Sequence, residues 1–507
     1  MVRNKRFYLM ILAVLLITGA AVFVWKYWLY HAVGLLKGGN GDAFGRGGDT
    51  FPPTEETRYN MGLYLDVSTL TLYGTSVIET ENNLDGPLSE MYFTLYPNAF
   101  EEKASSPAPP SAYKNGFDPG YIRVTEVKTD GIPASYEVQG TKLKLTLEEA
   151  LSPGQPVKIE MAWKVKIPQA AYRFGAWDGV FMLSNFYPVL TVRKGGEWRF
   201  AEETPLGDPF CFACADYLVK LNLPSEYQVV STGHVLAREA GAEGRDTVLI
   251  EASRARDFVI AATWRHQQLD TKAMNIPIRV YVNPGYEDTG VQVLSEAEKI
   301  LEYYACTFGS YPYEELDIIQ VPMDGFQGME YSGVIFLQDQ VLSKAYSPSR
   351  REFLLAHEIA HQWWFGLVGN DQSREPWLDE GLANWSAGLC LRRTGKQTGS
   401  EQSAGIKAAD LSRSLTEMRS RSDYLYSAYR GGEAFWNGLE GEIGTDKVVG
   451  VLRRYLAENR YGIATSEDVL RAVQNETGKD MTRYFSQWFR DWQEKAAPVV
   501  KVKTGGD

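Results

Sequence analysis

Two histidines and two glutamates lie close enough along this chain to hold and use a metal ion. The run His357-Glu358-Ile359-Ala360-His361 contains two of the five histidines, and Glu380 follows after a gap of eighteen residues. On a helix, residues i and i+4 share one face, so both imidazoles can reach one ion. A catalytic zinc takes three protein ligands and leaves a fourth position for water. The pattern predicts one Zn2+ per chain, bound by His357, His361 and Glu380, with Glu358 activating the water.

Two helices would have to position these groups. Ser349-Arg350-Arg351-Glu352 matches a capping box ahead of an apolar-rich helix, with Gly366 and Gly369 near its expected end. A second helix is predicted to start at Pro376 and to stop near Gly395. The two helices would run antiparallel and face the metal together.

A five-residue HExxH pattern also arises by chance, and Glu358 would then be an ordinary helix-surface residue. In this chain, further residues support the metal-binding interpretation of the pattern. Trp363-Trp364 follows the second histidine, and Glu380 lies in the run Trp377-Leu378-Asp379-Glu380-Gly381-Leu382-Ala383. The combination favours a metal site.

The same segments resemble the aminopeptidase N and leukotriene hydrolase family of zinc metallopeptidases, the gluzincins. The resemblance depends on residues 357–366, on the gap to Glu380 and on the upstream segment 327–333. It extends from about Tyr59 to Trp492. The upstream segment is similar to the family's Gly-Ala-Met-Glu-Asn motif. Met329 and Glu330 match that motif, whereas Gln327, Gly328 and Tyr331 stand where Gly, Ala and Asn are usual.

The resemblance implies roles for further residues. An aminopeptidase must bind a free α-ammonium group, and Glu330 has that role by its place in the motif, with Met329 and Gly328 beside it in the substrate site. Tyr429 is similar to the tyrosine of the family's Tyr-x-Lys-Gly segment and would donate to the oxyanion, although Gly431 stands where Lys is common. Tyr426 is the nearest alternative, and Tyr424 lies just upstream.

Composition describes a globular protein with several domains. Apolar residues make up 44% of the 507 residues and charged residues 23%. The net charge of −12, without a basic stripe, argues against nucleic-acid binding. Cys211 and Cys214 form a lone CxxC pair, for which buried or incidental thiols are favoured over a disulfide or a second metal site.

The N-terminal residues predict a membrane anchor. Residues 7–25 are uncharged, long enough to span a bilayer and preceded by the basic residues Arg3, Lys5 and Arg6. A cleavable signal peptide with small residues near Ala21 is the alternative, but the apolar run continues beyond that point. We therefore expect a single-pass cell-membrane protein whose catalytic part is extracytoplasmic.

The rest of the chain divides into further segments. Residues 1–6 would be cytoplasmic, and residues 26–57 would form a Gly-rich spacer. Residues 58–268 show the alternation of apolar and polar residues that is typical of strands, as at Leu70 and Leu72. Residues 269–495 become mostly helical, and 496–507 form a tail. The resemblance implies a multidomain α and β protein, with an N-terminal β-sandwich or saddle domain followed by a thermolysin-like, mostly helical catalytic domain. The large helical domain that many relatives add after it would be lacking.

The sequence thus predicts a membrane-anchored zinc aminopeptidase that trims peptides with a free N-terminus. A thermolysin-like zinc endopeptidase would use the same metal chemistry and is one alternative. A non-catalytic binding ectodomain of the same fold is the other. Glu330 separates the first two hypotheses, since an endopeptidase needs no anchor for an amine.

Overall fold

The computed structural model describes residues 57–200, 204–393, 395, 409–490 and 492. Four of the predicted segments lie outside these residues: the N-terminus (1–6), the membrane segment (7–25), the spacer (26–57) except for its last residue, and the tail (496–507). Within the part of the chain that is described, no helix is both long and apolar enough to span a membrane.

The first half of the described chain is built almost entirely of strands. They are β1 (Thr57–Asp66), β2 (Thr71–Glu81), β3 (Leu88–Thr94), β4 (Tyr121–Thr129), β5 (Ile132–Pro133), β6 (Ser135–Gln139), β7 (Lys142–Leu151), β8 (Pro156–Lys166), β9 (Phe174–Trp177), β10 (Val180–Ser184), β11 (Val189–Leu190), β12 (Val192–Lys194), β13 (Glu197–Arg199), β14 (Ala215–Pro224), β15 (Gln228–Ser231), β16 (His234–Ala240), β17 (Arg245–Ala255) and β18 (Val259–Thr263). Short 3-10 turns lie at Tyr96–Phe100 and Pro110–Ala112.

An eight-stranded sheet forms the body of this β domain. Its strand order is β16-β17-β14-β1-β2-β8-β4-β5, and β1 and β14 are its parallel pair. Alternate side chains of β1, β2 and β14 are buried, which places one face of the sheet on the core. Leu72 follows the predicted alternation, but Leu70 does not. Leu70 lies in the turn before β2 with φ 51°, so its side chain is outside the strand pattern.

The second half contains a five-stranded sheet and a set of helices. Its elements are β19 (Gln267–Ala273), β20 (Ile276–Val282), α1 (Glu287–Phe308), β21 (Leu316–Val321), β22 (Gly328–Tyr331), β23 (Val334–Gln338), α2 (Pro348–Ala360), β24 (Gly369–Asn370), α3 (Trp377–Arg393), α4 (Arg421–Tyr424), a π-helix (Leu425–Gly431), α5 (Gly432–Ile443), α6 (Thr445–Asn459), β25 (Ile463–Ala464), α7 (Ser466–Thr477) and α8 (Thr482–Phe485). Short 3-10 turns lie at Asp339–Leu342 and Leu415–Glu417. The β-rich part followed by a mostly helical part confirms the predicted fold class.

The sheet of the second half has the order β19-β20-β21-β23-β22, which leaves β22 at an edge. Helix α1 covers β19 and β20, while α2 packs on both α1 and α3. The edge strand β22 also contacts α2. This packing brings the segment that resembles the exopeptidase motif to the helix that carries both histidines.

A separate apolar cluster joins the two halves. Buried residues from β10, β15 and β18 of the β domain contact buried residues from β20 to β23: Val180, Met182, Val230, Val259, Ala261, Tyr281, Ile319, Val321, Met323, Met329, Tyr331, Val334 and Phe336. Because these side chains are excluded from water, their burial stabilises the β domain against the sheet that carries Glu330.

The boundaries of α2 differ from the prediction. Its N-cap is Ser347, with Pro348 in the first turn, so the predicted capping box beginning at Ser349 is wrong. Proline suits the first helical turn because its missing N–H has no partner there in any helix. The helix ends at Ala360 with His361 as its C-cap, ahead of the expected end near Gly366. Helix α3 begins at Trp377 and ends at Arg393, close to the predicted limits.

Candidate metal centre and active site

His357 and His361 present their imidazoles to one point at the end of α2. Their Nε2 atoms are 3.1 Å apart, and both residues are buried. The other ring nitrogens have partners on the far side. Nδ1 of His357 donates to Asn384 Oδ1 at 2.9 Å, and Nδ1 of His361 donates to the carbonyl of Trp364 at 2.9 Å. With Nδ1 protonated, each neutral imidazole turns the lone pair of Nε2 toward the shared point.

Glu380 completes the donor set from α3. Its Oε2 lies 3.2 Å from Nε2 of His357 and 3.6 Å from Nε2 of His361. This oxygen is buried and has no hydrogen-bond partner among the described residues. This oxygen and the two Nε2 atoms converge on one point, where a cation would be bound favourably. Two imidazoles and one carboxylate are a known catalytic zinc ligand set, so the residues fit zinc.

The electrostatics of the site also call for a cation. Burial acts to raise the pKa of Glu380, but its contacts with His357 and His361 hold that pKa far below its usual value. Burial acts to lower the pKa of His361, yet Glu330 and Glu380 raise it well above the ordinary value. The carboxylates therefore favour positive charge at the imidazoles, and a zinc ion would supply that charge.

Glu358 points away from its helix into the space beside β22. Burial raises the pKa of its carboxyl to about 8, and its Oε2 has no hydrogen-bond partner among the described residues. The space exists because residue 328 is glycine. A Cβ there would lie 2.0 Å from Oε1 of Glu358. A buried carboxylate without a fixed partner is suited to accept a proton and later release it.

Glu330 lies on β22 and is 7% exposed. Glu330, His361 and Asp379 offer oxygen and nitrogen atoms within 4.8 Å of one another, which places Glu330 at the edge of the metal site. Burial raises its pKa well above the usual value. A carboxylate with this cost of desolvation gains from a cationic partner.

Met329, the other matching residue of the motif, is buried beneath the site. Its sulfur accepts a contact from Nη1 of Arg173 at 3.7 Å, and Arg173 forms a buried ion pair with Asp208. The Arg173 guanidinium also lies 5.0–5.7 Å from four ring centroids, those of Tyr96, Tyr172, Phe210 and Phe326. Arg173 of the β domain therefore contacts β22 through Met329.

The three candidate tyrosines occupy different positions. Tyr429 lies in the π-helix, donates to Glu380 Oε1 at 2.5 Å and stacks on His357 with ring centroids 5.7 Å apart. Tyr424 is buried and donates to the same oxygen at 3.0 Å. Tyr426 is 44% exposed. A π-helix has a wider turn than an α-helix, and here Tyr429 and Tyr424 reach the site while Tyr426 faces solvent.

The loop after α2 is held by a buried arginine that follows β17. Arg256 donates to five carbonyls, those of Phe365 (3.1 Å), Gly366 (3.3 Å), Leu367 (3.4 Å), Phe212 (3.0 Å) and Gly462 (3.0 Å). Phe365 has φ 132°, an unfavourable backbone conformation for a residue with a side chain. Arg256 therefore stabilises the loop whose Trp364 carbonyl orients His361.

Sequence reasoning missed several of these residues. Asn384 follows Glu380 by four residues on α3, so helical spacing could have indicated it. Arg173, Asp208 and Arg256 are distant in sequence, and no local pattern marks them. Cys211 and Cys214 are both buried thiols, in agreement with the expectation.

Comparisons with known proteins agree with the geometry. Residues 293–488 match the model of the Peptidase family M1 domain. Aminopeptidase M1-B from Oryza sativa subsp. japonica is 23% identical over 325 residues, which cover 58% of this chain and 37% of the relative. Glutamyl aminopeptidase from Bitis rhinoceros is 26% identical over 421 residues, 75% of this chain and 43% of the relative. The chain thus spans less than half the length of these relatives.

Solved structures of similar size also match the chain. The M1 zinc metallopeptidase from Deinococcus radiodurans has a TM-score of 0.62 at 16% identity and covers 89% of this chain and 96% of its own. A mutant of that enzyme bound to a Tyr-Ser-Ala substrate has a TM-score of 0.61 at 14% identity and covers 86% and 93%. The fold resembles that of an M1 zinc metallopeptidase, and the His-His-Glu group fits a zinc ion. Residues 293–488 match the M1 peptidase domain, and the chain is similar to aminopeptidases, in agreement with its resemblance to aminopeptidase N.

Proposed function

We propose that this chain is a zinc aminopeptidase that removes N-terminal residues from peptides. The observation that carries the proposal is the position of Glu330, a buried carboxylate within 4.8 Å of the ligand atom of His361. A charged amine bound there would hold the first residue of a peptide against the metal site. Cleavage would then fall after that residue.

The bound zinc would supply Lewis acidity toward the substrate carbonyl and would lower the pKa of water. The residues around it would divide the remaining work. Glu358 would accept the proton of the attacking water at its carboxylate and deliver it to the leaving amine. The Tyr429 hydroxyl would turn from Glu380 to donate to the carbonyl oxygen as negative charge develops on it.

Glu330 would determine which peptide bond is cleaved, because its buried carboxylate favours a cationic partner and the peptide N-terminus can provide one. A peptide α-ammonium would form a charge-assisted hydrogen bond with it and offset that cost. An acetylated N-terminus carries no charge and would leave Glu330 without a cationic partner. The names of the relatives, aminopeptidases, and the peptide bound by the Deinococcus radiodurans mutant support the same substrate class.

A matched set of substrates tests this function. Aminoacyl fluorogenic substrates would be compared with their N-acetylated twins, with and without a chelator. We expect cleavage of the free-amine substrates alone, lost on chelation and restored by zinc. Equal cleavage of both twins would indicate an endopeptidase, and no cleavage by zinc-loaded protein would indicate a binding ectodomain.

We also propose that residues 7–25 anchor the chain in the cell membrane with the catalytic part outside the cytoplasm. The support is their uncharged length and the basic residues before them. The full-length chain should stay with membranes after a high-salt wash, while a form that starts at Thr54 should be released. A product cut near Ala21 and recovered from the medium would show a signal peptide instead.

A further inference from the structure

Two tyrosines donate to the same oxygen of the metal ligand Glu380. Oε2 of Glu380 faces the imidazoles, whereas Oε1 accepts hydrogen bonds from Tyr424 at 3.0 Å and Tyr429 at 2.5 Å. The rings of Tyr424 and Tyr429 meet edge to face, with centroids 5.4 Å apart. The proposed mechanism employs only one of these hydroxyls.

The surroundings of the two tyrosines differ. Tyr429 lies in the π-helix and stacks on His357 at the metal site. Tyr424 lies at the end of α4, 5% exposed, in an apolar cluster with Leu415, Met418 and Ala428. Gly207 of the β domain has φ 58° and lies so close that a Cβ there would be 2.8 Å from the Tyr424 hydroxyl. Tyr424 is therefore confined on both sides.

The backbone before Tyr424 is also fixed. Arg413 donates to both carboxylate oxygens of Asp423, at 2.7 and 2.6 Å, and the N–H of Arg419 donates to Asp423 at 3.0 Å. The side chain of Ser420 caps α4 by accepting from the N–H of Asp423 at 3.2 Å. These bonds hold α4 against rotation, so its tyrosine keeps one direction.

We infer that Tyr424 is a positioning residue that holds the zinc ligand Glu380 in place while Tyr429 leaves it to serve the reaction. When Tyr429 turns to the substrate, Oε1 keeps one donor, and Oε2 remains directed at the metal. Partners of this kind around a metal ligand fix its orientation and tune its affinity for the metal. The inference rests on the proposed zinc aminopeptidase function and assigns the two hydroxyls separate tasks.

Three variants that each remove one hydroxyl test this division: Tyr424→Phe, Tyr429→Phe and, as the control, Tyr426→Phe at the exposed position. Zinc affinity and the zinc dissociation rate would be measured with a chromophoric chelator and no substrate. We expect Tyr424→Phe to weaken zinc binding about tenfold and Tyr426→Phe to change it by less than about threefold. Tyr429→Phe should also weaken zinc binding, because without substrate its hydroxyl donates to the same oxygen of Glu380. At saturating zinc, Tyr424→Phe should lower kcat far less than Tyr429→Phe does, because the hydroxyl proposed to donate to the oxyanion remains.

Cobalt gives a second readout that a purely structural role would not move. The visible spectrum of the Co2+-loaded protein reports ligand geometry, so it should shift in Tyr424→Phe and stay unchanged in Tyr426→Phe. The melting temperature of metal-free Tyr424→Phe should stay near that of the wild type, while the increase on adding zinc should shrink.

Wild-type zinc affinity and an unchanged cobalt spectrum in Tyr424→Phe would overturn the inference. So would a metal-free Tyr424→Phe protein that fails to fold, since the hydroxyl would then serve the fold and not the ligand. Zinc binding is measured without substrate, so a chain that binds zinc as expected but cleaves no peptide would refute the proposed function alone.

Discussion

Asn384 accepts a hydrogen bond from Nδ1 of His357 at 2.9 Å, one turn of α3 beyond the ligand Glu380. The same helix thus supplies one metal ligand and orients another. Replacing Asn384 with Ala should weaken zinc binding by about tenfold to a hundredfold, because His357 loses the partner that fixes its ring and tautomer. Competition with a chelator measures this change. Asn384→Asp keeps an acceptor and should lose less affinity, and equal losses in both variants would contradict the orienting role.

The zinc ligands and the proposed proton carrier should respond differently to substitution. His357→Ala, His361→Ala and Glu380→Ala should each lower zinc content, because two remaining ligands cannot complete the site. Glu358→Gln should keep its zinc and lose turnover, since a proton acceptor is removed and no ligand is. Metal analysis beside a peptidase assay separates the two outcomes. Full zinc occupancy in the three alanine variants would refute the ligand assignment.

Glu330→Ala should weaken transition-state binding of free-amine substrates by about 1.5 to 3 kcal/mol, the range for a hydrogen bond to a charged group. The measurement is kcat/KM for an aminoacyl substrate and its acetylated twin. The acetylated twin is the internal control, because it cannot offer an ammonium group. A variant that keeps the wild-type kcat/KM for the free-amine substrate would show that Glu330 does not bind the amine.

Tyr429→Phe should lower kcat on the order of a hundredfold with little change in KM, because the hydroxyl is proposed to serve the substrate only as charge develops. Steady-state kinetics on zinc-saturated protein measures both constants. Tyr426→Phe is the matched control, since its side chain is 44% exposed. A large kcat defect in Tyr426→Phe and a small one in Tyr429→Phe would transfer the oxyanion role to the other tyrosine.

His266 should make the fold sensitive to acid. It is 3% exposed, its Nε2 donates to the carbonyl of Gln320 at 2.7 Å, and its Nδ1 accepts from Thr263 at 2.7 Å. Burial lowers its pKa to about 4. Because the folded pKa is depressed, the stability that neutral His266 contributes is fully present above pH 6.5, the ordinary value. It is lost as the pH falls toward 4.

Urea unfolding of the wild type and of His266→Gln at several pH values checks this expectation. The difference in unfolding free energy between the two proteins should change by up to about 3 kcal/mol between pH 7 and pH 4, with the wild type losing more. Glutamine can still donate to Gln320 but does not titrate. The same pH dependence in both proteins would show that His266 is not the group responsible.

The sequence alone determined the parts of the site that depend on local geometry. Helical spacing places the imidazoles of His357 and His361 on one face whatever surrounds them, and the run around Glu380 forms a helix from its own residues. The alternation of apolar and polar residues predicted the β domain for the same reason, since successive strand residues face opposite sides of a sheet. The capping box at Ser349 failed because the competing signal, Pro348 after Ser347, began the helix two residues earlier.

Only the tertiary structure decided which distant groups meet these residues. Tyr429 of the π-helix and Tyr424 at the end of α4 both reach Glu380 while Tyr426 faces solvent, and a motif match could not distinguish them. Arg173, Asp208 and Arg256 come from the β domain, and nothing in their local sequence records the loop or strand that they support. The physical reason is that hydrogen bonds and ion pairs between distant segments depend on how sheets and helices pack, and local sequence patterns carry only the short-range geometry.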